Sequence, residues 1–254
     1  MKRLRSLAAA VMTICVFAVF GGISAQAQTS ADPFYGFDVK LYNSETDLGT
    51  NSVTAIVQSS DGYIWLGTYM GLYRFDGTRF SLLGSEEGIA SVRALYIDRS
   101  GNMWIGTNES SVYCYTAERG FVAYGSDKGL SEKSIRCFAE DKDGNIFVGT
   151  SGISYFISPE GEVSAVQPDS DITYVISAAA SPDGTIMAVT NSGVLAAYKD
   201  GKCLRTDTAI DGSIFTSINY AQDGFFLAGT ERFRTYKCSV NGNRIKQEDR
   251  KSVV

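Results

Sequence analysis

Apolar residues along this chain come in short alternating runs, cut by clusters of Gly, Asp, Ser and Asn. Val53-Thr54-Ala55-Ile56-Val57 is one such run. Ser60-Asp61-Gly62 is the cut that follows it, and Ile64-Trp65-Leu66-Gly67-Thr68 is the next run. Period-2 alternation, rich in β-branched and aromatic residues and bounded by turn formers, predicts strands. None of these runs carries the 3.6-residue period of an amphipathic helix.

The pattern repeats. A Gly, five residues and a Thr recur as GYIWLGT (62–68), GNMWIGT (101–107), GNIFVGT (144–150), GTIMAVT (184–190) and GFFLAGT (224–230). The first glycines are 39, 43, 40 and 40 residues apart. A period near 40 means one supersecondary unit, repeated, that buries its apolar faces by stacking on its neighbours.

Each unit reads as four strands. Nine residues before each signature Gly stands an apolar anchor: Val53, Val92, Ile135, Val175 or Phe215. Asp/Ser-Gly clusters follow, predicting a tight hairpin. Asp and Ser close such turns by local hydrogen bonds, and Gly accepts the left-handed backbone. The signature is the second strand. Trp65, Trp104, Phe147, Met187 and Leu227 share one face with Gly67, Gly106, Gly149, Val189 and Gly229. A bulky side chain beside a missing one suits close sheet-on-sheet packing. The opposite face is also apolar (Leu66, Ile105, Val148), which predicts burial on both sides. A third strand is predicted over 71–75, 111–115, 152–156, 193–198 and 233–236, and a more polar fourth over 77–80, 120–122, 161–163, 201–204 and 243–245.

Four strands per unit, with burial fading outward, describe a propeller blade. A β-helix needs shorter rungs, and a WD-type repeat expects Gly-His and Trp-Asp pairs that are absent. The fold class is therefore an all-β propeller, with blades at about 51–83, 91–125, 133–167, 173–206 and 213–248. The run 37–42 reads as one further strand. A step of 39 from Phe215 lands on Val254, and 252–254 echoes Asn51-Ser52-Val53. That predicts the start of a sixth blade, an incomplete ring, and a chain that is the front of a longer protein. The alternative is a closed five-blade ring sealed by 37–42.

The N-terminus adds a location. Lys2, Arg3 and Arg5 precede an apolar run over 7–23, and Ala25-Gln26-Ala27 offers a small-x-small cleavage site. This predicts a signal peptide at 1–27 and an exported remainder. The alternative is an uncleaved anchor, for which the run is short. Residues 1–27 hold three of the 23 basic residues and none of the 28 acidic ones, so 20 against 28 remain, net −8. That balance argues against nucleic acid or anionic membrane surfaces as partners.

The candidate chemistry is sparse. Cys114, Cys137, Cys203 and Cys238 show neither metal-ligand spacing nor a CxxC. They read as small apolar strand residues, with an export-compartment disulfide as the alternative. The chain has no His. This removes the commonest general base, the usual zinc ligand and every Ser-His or Cys-His pair. Asp141-Lys142-Asp143-Gly144-Asn145 has the start of a Ca²⁺ loop but lacks the remaining ligands. No catalytic residue, metal or cofactor is expected.

The phrases 51–56, 61–68 and 71–80 together resemble the two-component regulator propeller repeat. The second unit matches as well, and the third matches less closely. The fourth departs at Met187 and Val189, and the fifth at Leu227. The resemblance spans about 37–247. It implies the exported sensor region of a membrane receptor, followed elsewhere by a β-sandwich, a membrane helix and a cytoplasmic output. That output is a histidine kinase, often hybrid, or a diguanylate cyclase. It also implies an oligosaccharide or other small-molecule ligand, and leaves room for a homodimer through the full-length receptor.

Residues that recur in every unit read as structure: Trp65, Gly67, Thr68, Trp104, Gly106, Thr107, Phe147, Gly149, Thr150, Thr190, Gly229 and Thr230. A ligand is expected where the units differ. Tyr69, Asn108, Glu109, Asn191, Glu231 and Arg232 follow the signature Thr and project from one face of stacked blades. The competing reading of these positions is an ordinary solvated loop. Three functions follow: a sensor, a structural or protein-binding propeller, and a propeller glycosidase or lyase. The missing His weighs against the last.

Overall fold

The computed structural model describes residues 39–250, apart from 110, 132–133, 167–171, 222–223 and 242–243, and apart from the side chains of 205, 244 and 250. The predicted signal peptide and the 252–254 echo lie outside the described residues. The chain divides into two units, Met1–Leu41 and Tyr42–Val254. In the first, only 39–41 are described, and they carry no strand or helix.

The second unit is five four-stranded antiparallel sheets, each in simple sequence order. The first blade holds β1 (Val53–Gln58), β2 (Ile64–Thr68), β3 (Gly71–Phe75) and β4 (Phe80–Leu83). The second holds β5 (Val92–Ile97), β6 (Met103–Thr107), β7 (Val112–Thr116) and β8 (Gly120–Tyr124). The third holds β9 (Ile135–Glu140), β10 (Ile146–Thr150), β11 (Tyr155–Ile157) and β12 (Val163–Ala165). The fourth holds β13 (Val175–Ala180), β14 (Ile186–Thr190), β15 (Leu195–Lys199) and β16 (Lys202–Asp207). The fifth holds β17 (Phe215–Ala221), β18 (Phe225–Thr230), β19 (Thr235–Asn241) and β20 (Arg244–Arg250). Among the described residues, one 3₁₀ turn, Ser126–Lys128, follows the second blade.

Blades pack through their first strands, β1 on β5, β5 on β9, β9 on β13 and β13 on β17. These strands form the inner edge of the array. Among the described residues, β17 is not joined to β1 as its neighbours are joined, so the closed five-blade ring is not formed here. Burial agrees. Val92, Ile135, Val175 and Phe215 are 0% exposed, whereas Val53, with no described blade before it, is 43% exposed.

The packing rule is physical. A Cβ placed on Gly67 would lie 2.7 Å from Val92 Cγ1, and one on Gly149 would lie 2.9 Å from Val175 Cγ1. Gly67, Gly106 and Gly149 are thus the sockets for the anchors of the blades that follow them, whereas a Cβ on Gly229 would meet only Ser217 Oγ of its own blade, at 2.7 Å. In the fourth blade Val189 fills the socket, and Phe215 packs its ring edge-on to Tyr236 of its own blade, 5.7 Å between centroids. The signature Trp is tied to its own hairpin. Trp65 Nε1 donates to Ser59 Oγ at 2.9 Å and Trp104 Nε1 to Asp98 Oδ2 at 2.8 Å.

Two expectations change. Residues 39–42 of the expected 37–42 strand are not in a strand; the Tyr42 ring packs on Phe75 and Phe80 instead. The third strands of the later blades start at Tyr155, Leu195 and Thr235, later than alternation predicts. The signature Thr closes the turn that leads into the third strand. Thr150 Oγ1 donates to Ile153 O at 2.7 Å, and Thr190 Oγ1 accepts from Val194 N at 3.0 Å.

Candidate functional site

The loops after the signature Thr are stitched to the linkers that lead into the first strands. Ser91 N donates to Tyr69 O at 3.2 Å, Ser134 N to Asn108 O at 3.4 Å and Tyr174 N to Gly152 O at 3.0 Å, each across a blade boundary. Within blades, Asn108 N donates to Ser91 O, Asn191 N to Tyr174 O and Glu231 N to Ile214 O, at 2.9–3.0 Å. The backbone of the predicted ligand loops is therefore an inter-blade belt. Asn108 adds its side chain, whose Oδ1 accepts from Ser134 Oγ at 2.7 Å. Glu109, Asn191, Glu231 and Arg232 are exposed. Tyr69 is 52% exposed, and its hydroxyl accepts from Arg93 Nη1.

Every first strand opens on a β-bulge. Val53, Val92, Ile135, Val175 and Phe215 pair with the signature Thr, and the next pair skips one residue. The skipped residues are Thr54, Arg93, Arg136, Ile176 and Thr216. A bulge re-aims its side chain out of the ladder, and bulges cluster beside functional sites. Alternation in sequence does not reveal a bulge. The signal available was that this one position reads Thr, Arg, Arg, Ile and Thr in five otherwise similar units.

The other end of the same strands borders an open cavity of about 510 Å³ that spans four blades. Tyr96, Phe138 and Tyr220 line it, with Ala178, Ala179 and Ala180 between them. Three consecutive alanines hollow out space that Leu95-Tyr96-Ile97 fills in the second blade. Arg99, Glu140, Asp141, Lys142, Ser181 and Pro182 complete the lining. Arg99 Nε lies 3.0 Å from Glu140 Oε1, and Arg99 N donates to Glu140 Oε2 at 2.8 Å. Burial first, then the Glu140 and Asp98 carboxylates, push the Tyr96 phenol up to about 12, so it stays protonated at neutral pH. A cavity of about 310 Å³ adjoins between the fourth and fifth blades and shares Ser181, Pro182 and Tyr220. None of the six loop residues named from sequence is among the residues lining either cavity.

The acidic loop 141–145 uses its own carboxylate. Asp141 Oδ1 accepts from Asp143 N and Asn145 N, and Oδ2 from Asn145 Nδ2, all at 2.9 Å. It closes a turn. Among the described residues, no group of three or more His, Cys, Asp or Glu is placed to hold a metal ion, and no disulfide joins the four cysteines there.

A family model, the two component regulator propeller, matches residues 47–70, 88–109 and 129–152. Three stretches of the chain thus match the two component regulator propeller repeat. The matched stretches cover the first two strands of the first, second and third blades and include all three signatures. No curated protein matches the sequence. Among solved structures, a catalytically inactive virginiamycin B lyase from Staphylococcus aureus with quinupristin aligns at TM-score 0.66 and 15% identity, over 83% of this chain and 72% of that one. The extracellular domain of the hybrid two component system BT3049 from B. thetaiotaomicron aligns at TM-score 0.60 and 19% identity, over 76% of this chain and 28% of that one. That of BT4673 from the same organism aligns at 0.50 and 18%, over 79% and 33%. At these identities the likeness is one of fold. This repeat-bearing chain corresponds to a third or less of either extracellular domain.

Proposed function

We propose that this propeller is the exported, ligand-sensing part of a membrane signalling receptor whose histidine kinase or cyclase output lies outside this chain. Its ligand is an oligosaccharide, held in the four-blade cavity. The regulator propeller repeats support the receptor reading. The cavity carries the ligand reading. Tyr96 and Tyr220 offer faces to the CH side of a sugar ring, while the Arg99–Glu140 pair, Lys142 and Ser181 offer donors and acceptors to its hydroxyls. A ligand there touches four blades at once, so binding would change how they sit against one another. The chain is read as non-catalytic, in keeping with the sensor reading that the repeats support.

The test is a thermal-shift screen of neutral oligosaccharides on the chain and on Tyr220→Ala and Ala179→Leu variants. A stabilising member whose effect disappears in both variants supports the cavity. An effect unchanged in both, or no stabilising member, overturns it. Cleavage of a bound oligosaccharide would overturn the non-catalytic reading.

A further inference from the structure

Two kinds of surface line the four-blade cavity, and they come from different elements. The first strands β5, β9, β13 and β17 give it three aromatic rings, Tyr96, Phe138 and Tyr220, and four alanines. The hairpins that follow these strands give it Arg99, Asp141, Lys142 and Ser181. The cavity thus has an apolar strand side and a polar hairpin side.

The hairpin groups are largely engaged with one another. Arg99 holds Glu140, at the end of β9, through its Nε and its backbone amide, and its Nη2 donates to Asp141 O. The Asp141 carboxylate closes its own turn. The Ser181 hydroxyl is shared between Asp183 Oδ1 and Thr185 O. Lys142 Nζ lies 2.5 Å from Asp143 Oδ2, and an ammonium has two further N–H groups to give.

The strand side has apolar surface to spare. Ala178, Ala179 and Ala180 are each half-buried, and the Tyr220 ring stands edge-on to Phe226, 5.2 Å between centroids. Apolar surface that faces water favours whatever apolar group covers it. A bare sugar covers it poorly, because each hydroxyl laid against alanine loses water and finds no partner. Room is ample. An apolar space of about 150 Å³ already takes benzene, and this cavity measures about 510 Å³.

We propose that the ligand of this cavity is a sugar that carries a neutral aryl group. The aryl group covers the alanines between the three aromatic rings, which favour an edge or offset ring partner. The sugar hydroxyls meet the hairpin side. The group is neutral because an ion laid against the alanines would be desolvated without a partner. This inference rests on the oligosaccharide reading and adds an apolar part to that ligand.

The test is calorimetric titration of the chain with the phenyl β-glycosides of cellobiose, lactose and xylobiose, each beside its methyl β-glycoside, and with phenol alone. A phenyl glycoside is expected to bind at least about tenfold more tightly than its methyl counterpart, the effect of about two buried methylene groups. Ala179→Ser adds a hydroxyl on the strand side and little volume. It is expected to lower that ratio at least about twofold, the small end of the cost of burying a hydroxyl, with an unaltered melting temperature. Lys142→Gln, on the hairpin side, is expected to weaken phenyl and methyl glycosides by the same factor and so to keep the ratio. Equal binding of phenyl and methyl glycosides would overturn the aryl group and leave the oligosaccharide reading standing. Phenol that binds as tightly as the phenyl glycosides would overturn both, since the sugar then contributes nothing. No binding by any phenyl glycoside, or a ratio unchanged in Ala179→Ser, would also overturn the proposal.

Discussion

Ile135 occupies the space that a side chain at Gly106 would need. A Cβ there would lie 2.5 Å from Ile135 Cγ2 and 3.2 Å from Phe138 Cε2, both on the inner strand of the next blade. The neighbour is a β-branched side chain with little rotamer freedom, 0% exposed, so it has nowhere to go. Gly106→Ala should force the second and third blades apart and cost about 1–3 kcal/mol, the range for overpacking a tight core. Urea denaturation measures it. A midpoint equal to wild type would show that the blades separate freely.

The signature Thr makes a different kind of bond. Thr150 is 0% exposed; its hydroxyl donates to Ile153 O at 2.7 Å and accepts from Gly152 N at 2.9 Å. Thr150→Val keeps the shape and leaves both backbone groups without that partner. The expected loss is about 1–3 kcal/mol, and Thr150→Ser should recover most of it. If the Val variant melts with wild type, the hydroxyl contributes nothing and the β-branch alone is what the turn needs.

Acid should loosen the turn before the first blade's fourth strand in a defined window. Asp76 Oδ1 accepts from Arg79 N at 2.8 Å and from Thr78 N and Oγ1 at 2.7 Å. These bonds, the Arg79 amide first, pull its carboxyl from 3.8 down to about 2. The folded value lies below the unfolded one, so this stabilisation is complete above about pH 4 and is lost as pH falls towards 2. Asp76→Asn should therefore be less stable than wild type at pH 7, and the two stability curves should meet near pH 2. Parallel curves over that range would show that the charge plays no part.

Much of the architecture was legible because a blade writes its packing into local spacing. Anchor, Asp-Gly turn, aromatic and Gly lie within 15 residues, and each obeys a period-2 or turn rule. The sites were less legible because they depend on relations between units. A bulge is a mismatch between two partner strands, so Arg93 and Arg136 read as ordinary strand residues. Their pairing could not be foreseen either, since Arg136 meets Tyr174 across 38 residues of sequence. The cavity arises because Ala178-Ala179-Ala180 is small while Tyr96 and Tyr220 come from blades on either side of it. The loops chosen for their variability do vary in side chain, but their backbone amides and carbonyls are already used in the belt. The 37–42 run alternates well enough for a strand, but its described part forms none, and Tyr42 finds Phe75 and Phe80 instead.

The Arg99–Glu140 pair links the second and third blades at the mouth of the cavity, and its two halves are unequal. The Glu140 side chain is 6% exposed and that of Arg99 is 59% exposed. Removing the arginine would strand a buried carboxylate, whereas removing the carboxylate releases an arginine that water can hydrate. Arg99→Ala should therefore be the more damaging change, and Glu140→Gln the milder one, because it keeps an acceptor for Arg99 N. The Tyr96 phenol reports the difference. Burial is the leading cause of its raised value, with the Glu140 charge second, so in Glu140→Gln it should titrate below about 12 yet above the usual 10. Carbon NMR of the tyrosine rings follows this residue by itself. A Tyr96 that titrates at its wild-type value in Glu140→Gln would mean that the carboxylate charge is not felt in the cavity, and that its role there is confined to bridging the two blades.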